Sequence, residues 1–157
     1  MARMARMFMM AQVEVGHGCS ISMTGAVLPA LREQPELAAD WEPRIRTNSY
    51  DYRSINPAKK SGCLLGMGLT ERQGGSDVRA NSSTAVPASE DGEGCYHLSG
   101  HKWFTSAPMC DAFLLLANSP RGLSCFLVPR VLSDGALNSI ALMRLKDKLG
   151  NRSNASG

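Results

Sequence analysis

The hydrophobic period of this chain changes at Gly62, so two kinds of structure must follow one another along it. Before Gly62, apolar residues recur at helical spacing. Met10, Val13, Ile21, Val27, Leu28 and Leu31 predict helix over about residues 7 to 33, with breaks at Gly16, Gly18, Gly25 and Pro29. The first residues, Met1 to Met10, carry two arginines but no sustained apolar run, and read as the truncated beginning of a helix rather than a leader. A second helix is predicted to begin at Pro35, a residue suited to a first turn, with Leu37, Trp41 and Ile45 forming one stripe. Asn48 to Lys60 is polar and ends in Lys59-Lys60-Ser61-Gly62, which reads as a linker.

After Gly62 the apolar runs are short and punctuated by turn residues. Cys63 to Thr70 reads as a strand. Cys95 to Leu98 and Lys102 to Thr105 flank Ser99-Gly100 as a hairpin, and Ala112 to Ala117 and Leu123 to Val128 flank Ser119 to Gly122 as another. Ser82 to Gly94 is rich in Ser, Pro, Asp, Glu and Gly and is expected to be an exposed loop. The expected class is α+β: the end of a helical domain in residues 1–61, then an incomplete antiparallel β-barrel or sandwich in residues 62–157. Such an open sheet exposes strand edges, which makes independent folding doubtful.

Charge and cysteine usage exclude several classes. Eight Lys and Arg stand against six Asp and Glu before Gly62, and nine against eight after it, so no basic lobe marks a nucleic-acid surface. The Arg3/Arg6 and Lys59/Lys60 pairs read as solvated charges. The five cysteines (Cys19, Cys63, Cys95, Cys110, Cys125) are odd in number and never form C-x-x-C, arguing against a disulfide framework or zinc knuckle and for a reducing, cytoplasmic setting. His17, His97 and His101 lack metal-ligand spacing, and no G-x-S-x-G accompanies them, so no metal or hydrolase triad is expected. The longest apolar run, Ala112 to Ala117, is too short to cross a bilayer.

Two segments could carry chemistry. In Gly66 to Val78 a strand runs into Gly74-Gly75, exposing backbone N–H groups beside the Thr70 and Ser76 hydroxyls, which suits carbonyl or phosphate oxygens. The same residues also read as a strand end with a turn, since Thr70 to Gln73 fits a capping box and no phosphate-binding spacing is met. In Ser99 to Ser106, Trp103 and Thr105 share one face of an extended chain and could stack on and hydrogen-bond a planar heteroaromatic ring. Alternatively, Trp103 and Phe104 fill a sheet core.

Taken in order, "GMGLTERQGGSDV", "YHLSGHKWFTS", "AFLLLA" and "LKDKLGNRSNAS" resemble the middle domain of the acyl-CoA dehydrogenases, and "AQVEVGHGCSISMT" with "DWEPRI" resembles the last helices of the preceding domain. The wording is most similar to the alkylation-response branch, where Arg72-Gln73-Gly74 stands in place of Pro-Gly-Ala.

The resemblance implies FAD as cofactor, contacted by Met67, Leu69, Thr70, Gln73, Gly74, Gly75, Ser76, Trp103, Phe104 and Thr105. Thr70 would serve the N1/O2 edge, Trp103 would cover one flavin face, Thr105 would bond near N5 and O4, and Ser76 would face the pyrophosphate or the substrate. The implied reaction is α,β-dehydrogenation of an acyl-CoA thioester with hydride transfer to flavin. Its base is expected in a carboxy-terminal helical domain beyond Gly157, so no catalytic residue is expected here, and Glu71 and Asp77 are assigned surface or structural roles. Lys148 to Ser153 would lead into the next barrel strand. A homotetramer is implied for the parent. The alternative is a flavin-bearing protein of the alkylation response that binds DNA through an absent carboxy-terminal region.

Overall fold

The computed structural model describes residues 1–91 and 93–157, leaving the side chains of Arg3 and Asp91 outside the description. Three helices come first: α1 (Ala2–Val13), α2 (His17–Leu31) and α3 (Pro35–Arg46). Five strands follow: β1 (Leu65–Gly68), β2 (Thr84–Pro87), β3 (Tyr96–Ser99), β4 (Ala112–Ser119) and β5 (Gly122–Pro129). Among the described residues no helix is long and apolar enough to cross a membrane.

The helical break falls between α1 and α2, around Gly16. Gly18, Gly25 and Pro29 all lie inside a continuous α2. No atom would crowd a side chain at Gly18 or Gly25, so both occupy open positions of the helix. Pro29 sits in the last turn, where the missing N–H removes one bond near the helix end. α2 turns Thr24, Val27 and Leu31 inward. α3 begins with Pro35, carries Glu36 in its first turn and Arg44 and Arg46 in its last, all favourable to the helix dipole. Its buried stripe is Ala38, Trp41 and half-buried Ile45, while Leu37 is exposed. The stripe is thus rotated by one residue from the expected one, because α3 meets α2 on the Ala38 side. Among the described residues α1 buries none, and Met7, Phe8, Met9, Met10 and Val13 are exposed.

The expected α+β arrangement of helices followed by an open sheet stands, with pairing that is mixed rather than wholly antiparallel. β4 is the central strand. Along one edge it pairs antiparallel with β5 over its whole length, from Ala112↔Pro129 to Ser119↔Gly122. Its other edge is shared between β1, in parallel from Leu65↔Ala112 to Gly68↔Leu115, and β2, in parallel at Thr84↔Asn118. β2 and β3 form an antiparallel pair.

The expected hairpin at Ser99-Gly100 does not form. β3 turns instead to β2, which lies inside the segment expected to be loop, and Lys102 to Thr105 is irregular chain. A Cβ at Gly100 would collide with Ser83, so this glycine lets the chain pass close beside residue 83.

Helices and sheet share one core of Val27, Leu31, Ala38, Trp41, Cys63, Leu65, Ala112 and Leu114. A smaller cluster of Ala107, Cys110 and Phe113 packs against Met23, Leu64 and Leu115. The linker is pinned to the sheet by Lys60. Expected to be solvated, Lys60 is instead buried, with Nζ 2.6 Å from Asp111 Oδ1, while Asp111 Oδ2 accepts from the Leu64 N–H at 2.9 Å. A buried ammonium demands a paired carboxylate, and this one comes from the start of β4, far away in sequence. Lys59 remains exposed.

Candidate functional site

β1 delivers the first motif to the end of the sheet, and its loop is held by a buried carboxylate. Glu71 is only 3% exposed. It accepts from the Ser82 N–H (2.6 Å) and hydroxyl (2.8 Å), the Ser83 N–H (3.0 Å) and hydroxyl (2.5 Å), and Lys102 Nζ (2.7 Å). Burial alone would push this carboxyl up. The hydrogen bonds from Lys102, Ser83 and Ser82 outweigh it and hold Glu71 well below the usual carboxylate range. Glu71 therefore works as a structural anion, with no proton to exchange near neutral pH.

The second motif is clasped to the first. Trp103 N–H donates to the Thr70 carbonyl at 2.8 Å, one residue along each segment from the Lys102–Glu71 ion pair. Thr105 is tied to the end of the chain: its N–H donates to the Gly157 carbonyl and its carbonyl accepts from the Gly157 N–H, both at 3.0 Å. Ser106 bridges Met67 on one side and Ser156 on the other. Residues 105–107 thus lie between β1 and residues 155–157.

Close glycines make room for the two threonine hydroxyls. A Cβ at Gly68 would lie 2.9 Å from Thr105 Oγ1, and one at Gly75 would lie 3.0 Å from Thr70 Oγ1. Gly74 has φ +110 and closes the turn by donating to the Glu71 carbonyl at 3.0 Å. Among the described residues neither hydroxyl takes part in a hydrogen bond. Beside them stand the half-exposed rings of Trp103 (37% exposed) and Phe104 (43% exposed).

The predicted residues are therefore only partly assembled. Leu69, Thr70, Gly74, Gly75, Trp103, Phe104 and Thr105 gather where β1 ends. Met67 packs against the helix–sheet core. Gln73 is occupied within the loop, with Nε2 2.8 Å from Asn81 Oδ1, while Asn81 Nδ2 donates to the Leu69 carbonyl at 2.9 Å. Ser76 and Asp77 are exposed farther along the loop.

Several residues escaped sequence reasoning. Ser82, Ser83 and Lys102 anchor the loop, and Lys146 places Nζ 3.8 Å from the Trp103 ring centroid and 4.8 Å from that of Phe104. Spacing carries no signal for any of them, because each partner is distant along the chain. Among the described residues no group of three or more His, Cys, Asp or Glu could hold a metal ion. Burial pushes the Cys63 thiol up to about 11 and the Cys110 thiol up to about 12, so neither is a nucleophile near neutral pH.

Comparison with known proteins adds a family context. The profile described as acyl-CoA dehydrogenase, middle domain, matches residues 66–157, and the adaptive response protein AidB N-terminal domain profile matches residues 1–52. The chain is 52% identical over 156 residues to "Putative acyl-CoA dehydrogenase AidB" of Escherichia coli (strain K12), covering 99% of this chain and 28% of that protein. It is 35% identical over 146 residues to acyl-CoA dehydrogenase family member 11 of Caenorhabditis elegans, covering 85% of this chain and 22% of that protein. Among solved structures, Caenorhabditis elegans ACDH-11 in complex with C11-CoA superposes with a TM-score of 0.71 at 31% identity, over 88% of this chain and 24% of that one. Bd2924 in its apo form gives a TM-score of 0.71 at 33% identity, over 88% of this chain and 28% of that one. The chain thus spans less than a third of the length of each of these relatives.

Proposed function

The chain belongs to the acyl-CoA dehydrogenase family, and from that premise we propose that it supplies one wall of an FAD site in a dehydrogenase of acyl-CoA thioesters. The observation that carries this reading is the clasp between Thr70 and Trp103. It joins Thr70 to Trp103, whose indole is partly exposed, and both Thr70 and Thr105 have a hydroxyl that is beside a close glycine and without a hydrogen-bond partner among the described residues. A planar, hydrogen-bonding ring fits such a cradle, whereas a metal ion does not.

FAD, when bound, supplies the acceptor for a hydride from the substrate's β-carbon. Thr70 would offer its hydroxyl to the N1/O2 edge, where pre-placed donors would stabilise the negative charge that accumulates on reduction. Thr105 contributes through its hydroxyl near N5 and O4, since its N–H is committed to Gly157. Trp103 would cover one face, Phe104 would shield the edge beside it and Leu69 would lie beneath, while Met67, packed against the helix–sheet core, would support the strand from behind. Gly74, Gly75 and Ser76, with Gln73 bracing the loop through Asn81, would face the pyrophosphate, and Ser76 would face the pyrophosphate or the substrate. Glu71 keeps the loop in place and takes no part in proton transfer.

On the same reading, residues 1–61 end a helical domain and residues 62–157 belong to the flavin-binding β domain. The parent protein is a cytoplasmic homotetramer. A second reading, a flavoprotein of the alkylation response that also binds DNA, draws on the match of residues 1–52 to the AidB N-terminal domain.

The test is retention of flavin. The purified chain is incubated with excess FAD and desalted beside a Thr70→Ala/Trp103→Ala variant. Flavin absorbance kept by the wild type and lost by the variant supports the proposal. A folded wild type that emerges colourless refutes the claim that this chain holds cofactor.

A further inference from the structure

Lys146 is a cation at the candidate site that lies in the last of the four resembling segments, where no cofactor contact is expected. Its ammonium lies 3.8 Å from the Trp103 centroid and 4.8 Å from that of Phe104, so it engages both consecutive rings. Its backbone is held in the same ladder as the site itself. Lys146 N–H donates to the Ser156 carbonyl at 2.8 Å, Ser156 bridges Ser106, and Ser106 bridges Met67 of β1. Among the described residues the ammonium enters no ion pair. Glu71, the carboxylate of the first motif's loop, is already engaged by Lys102 and the two serines.

An ammonium over an aromatic face is attracted by the ring quadrupole and fixes that ring's orientation. It also occupies one face of Trp103, whose ring meets His101 edge-on with centroids 6.3 Å apart, so a stacking ligand would take the indole face away from Lys146. A positive charge one ring away from that ligand, with no ion-pair partner among the described residues, discriminates between charge states of whatever stacks there.

Resting on the flavin reading above, we propose that Lys146 is a positioning residue of the site. It braces Trp103 and Phe104 from one side and holds a fixed positive charge beside the bound isoalloxazine, favouring the reduced, negatively charged form. The consequence is a preference for reduced over oxidised FAD that depends on the charge at position 146. A partly screened charge pair across one aromatic ring is worth a factor of about ten in that preference.

The experiment measures the dissociation constants of oxidised FAD and of dithionite-reduced FAD under anaerobic conditions. It uses the full chain, Lys146→Met, Lys146→Gln and Lys146→Arg, each first compared with wild type by far-UV circular dichroism. The expected result is a ratio of oxidised to reduced dissociation constants about tenfold lower in the neutral variants than in wild type, with Lys146→Arg within about twofold of wild type. A purely structural role would weaken both forms equally and leave the ratio unchanged. An unchanged ratio in a folded neutral variant overturns this inference and leaves the flavin reading intact. A folded wild type that binds neither form overturns both, so the two failures are distinguishable. If Lys146→Met and Lys146→Gln both lose the native spectrum while Lys146→Arg keeps it, Lys146 is a folding determinant and the assignment as a cofactor-positioning residue is overturned.

Discussion

Replacing Glu71 with alanine removes the anion that joins the motif loop to residues 82–83 and to Lys102. The Glu71 side chain is 4% exposed and that of Lys102 10% exposed, so solvent offers the stranded ammonium little compensation. Breaking a buried pair by removing one partner costs about 3–5 kcal/mol, because the remaining charge stays desolvated. Two backbone N–H groups, of Ser82 and Ser83, lose their acceptor in the same step.

The assay is urea unfolding of wild type, Glu71→Ala and the double variant Glu71→Ala/Lys102→Met. A lower midpoint at unchanged slope reports stability alone. The single variant should lose about 3–5 kcal/mol, and the double variant should recover a large part of that, since no unpaired charge remains. A single variant within about 1 kcal/mol of wild type, or a double variant no better than the single one, would refute the reasoning.

The same group fixes a pH dependence. Its folded pKa lies below its unfolded value of 4.5, so the unfolded state binds more protons in the window below 4.5, and stability there rises with pH. The contribution is fully present above that window and is lost as pH falls toward the folded value. Glu71→Gln should therefore lack that part of the acid-side slope.

Two further perturbations follow from the packing. Gly68→Ala would place a methyl group 2.7 Å from Leu115 Cδ2 and 2.9 Å from Thr105 Oγ1, so it should cost about 1–3 kcal/mol in urea unfolding and weaken FAD retention; a neutral outcome in both assays would contradict the packing around Thr105. In the folded chain, Cys63 and Cys110 should resist a thiol reagent at pH 8 while exposed Cys95 reacts, with peptide mapping as the readout. Equal labelling of all three would contradict the described burial.

The legible parts of the fold were those encoded by local chemistry. Pro35 opens α3, and the β4–β5 hairpin turns at the residues expected from its Pro and Gly. What sequence could not carry was pairing across distance. β1 lies parallel to β4 although more than forty residues separate them, and alternation of apolar residues is blind to the direction of a neighbour. β2 hides in a Ser- and Pro-rich stretch because it needs only four residues, of which Ala85 alone is buried. Lys60 looked solvated because its partner Asp111 is supplied by another element. At the site, both motifs were visible as segments. Their clasp through Trp103 N–H and Thr70 carbonyl was not, because it is made by backbone atoms that every residue type possesses.

Backbone NMR decides whether these two motifs form one cofactor site. A 15N-labelled chain titrated with FAD should show its largest shift changes at Thr70, Gly74, Gly75, Thr105 and the Trp103 indole N–H, moving together with one dissociation constant. Changes confined to the α2–α3 surface around Arg32 and Glu42, or none at saturating FAD in a folded chain, would contradict it.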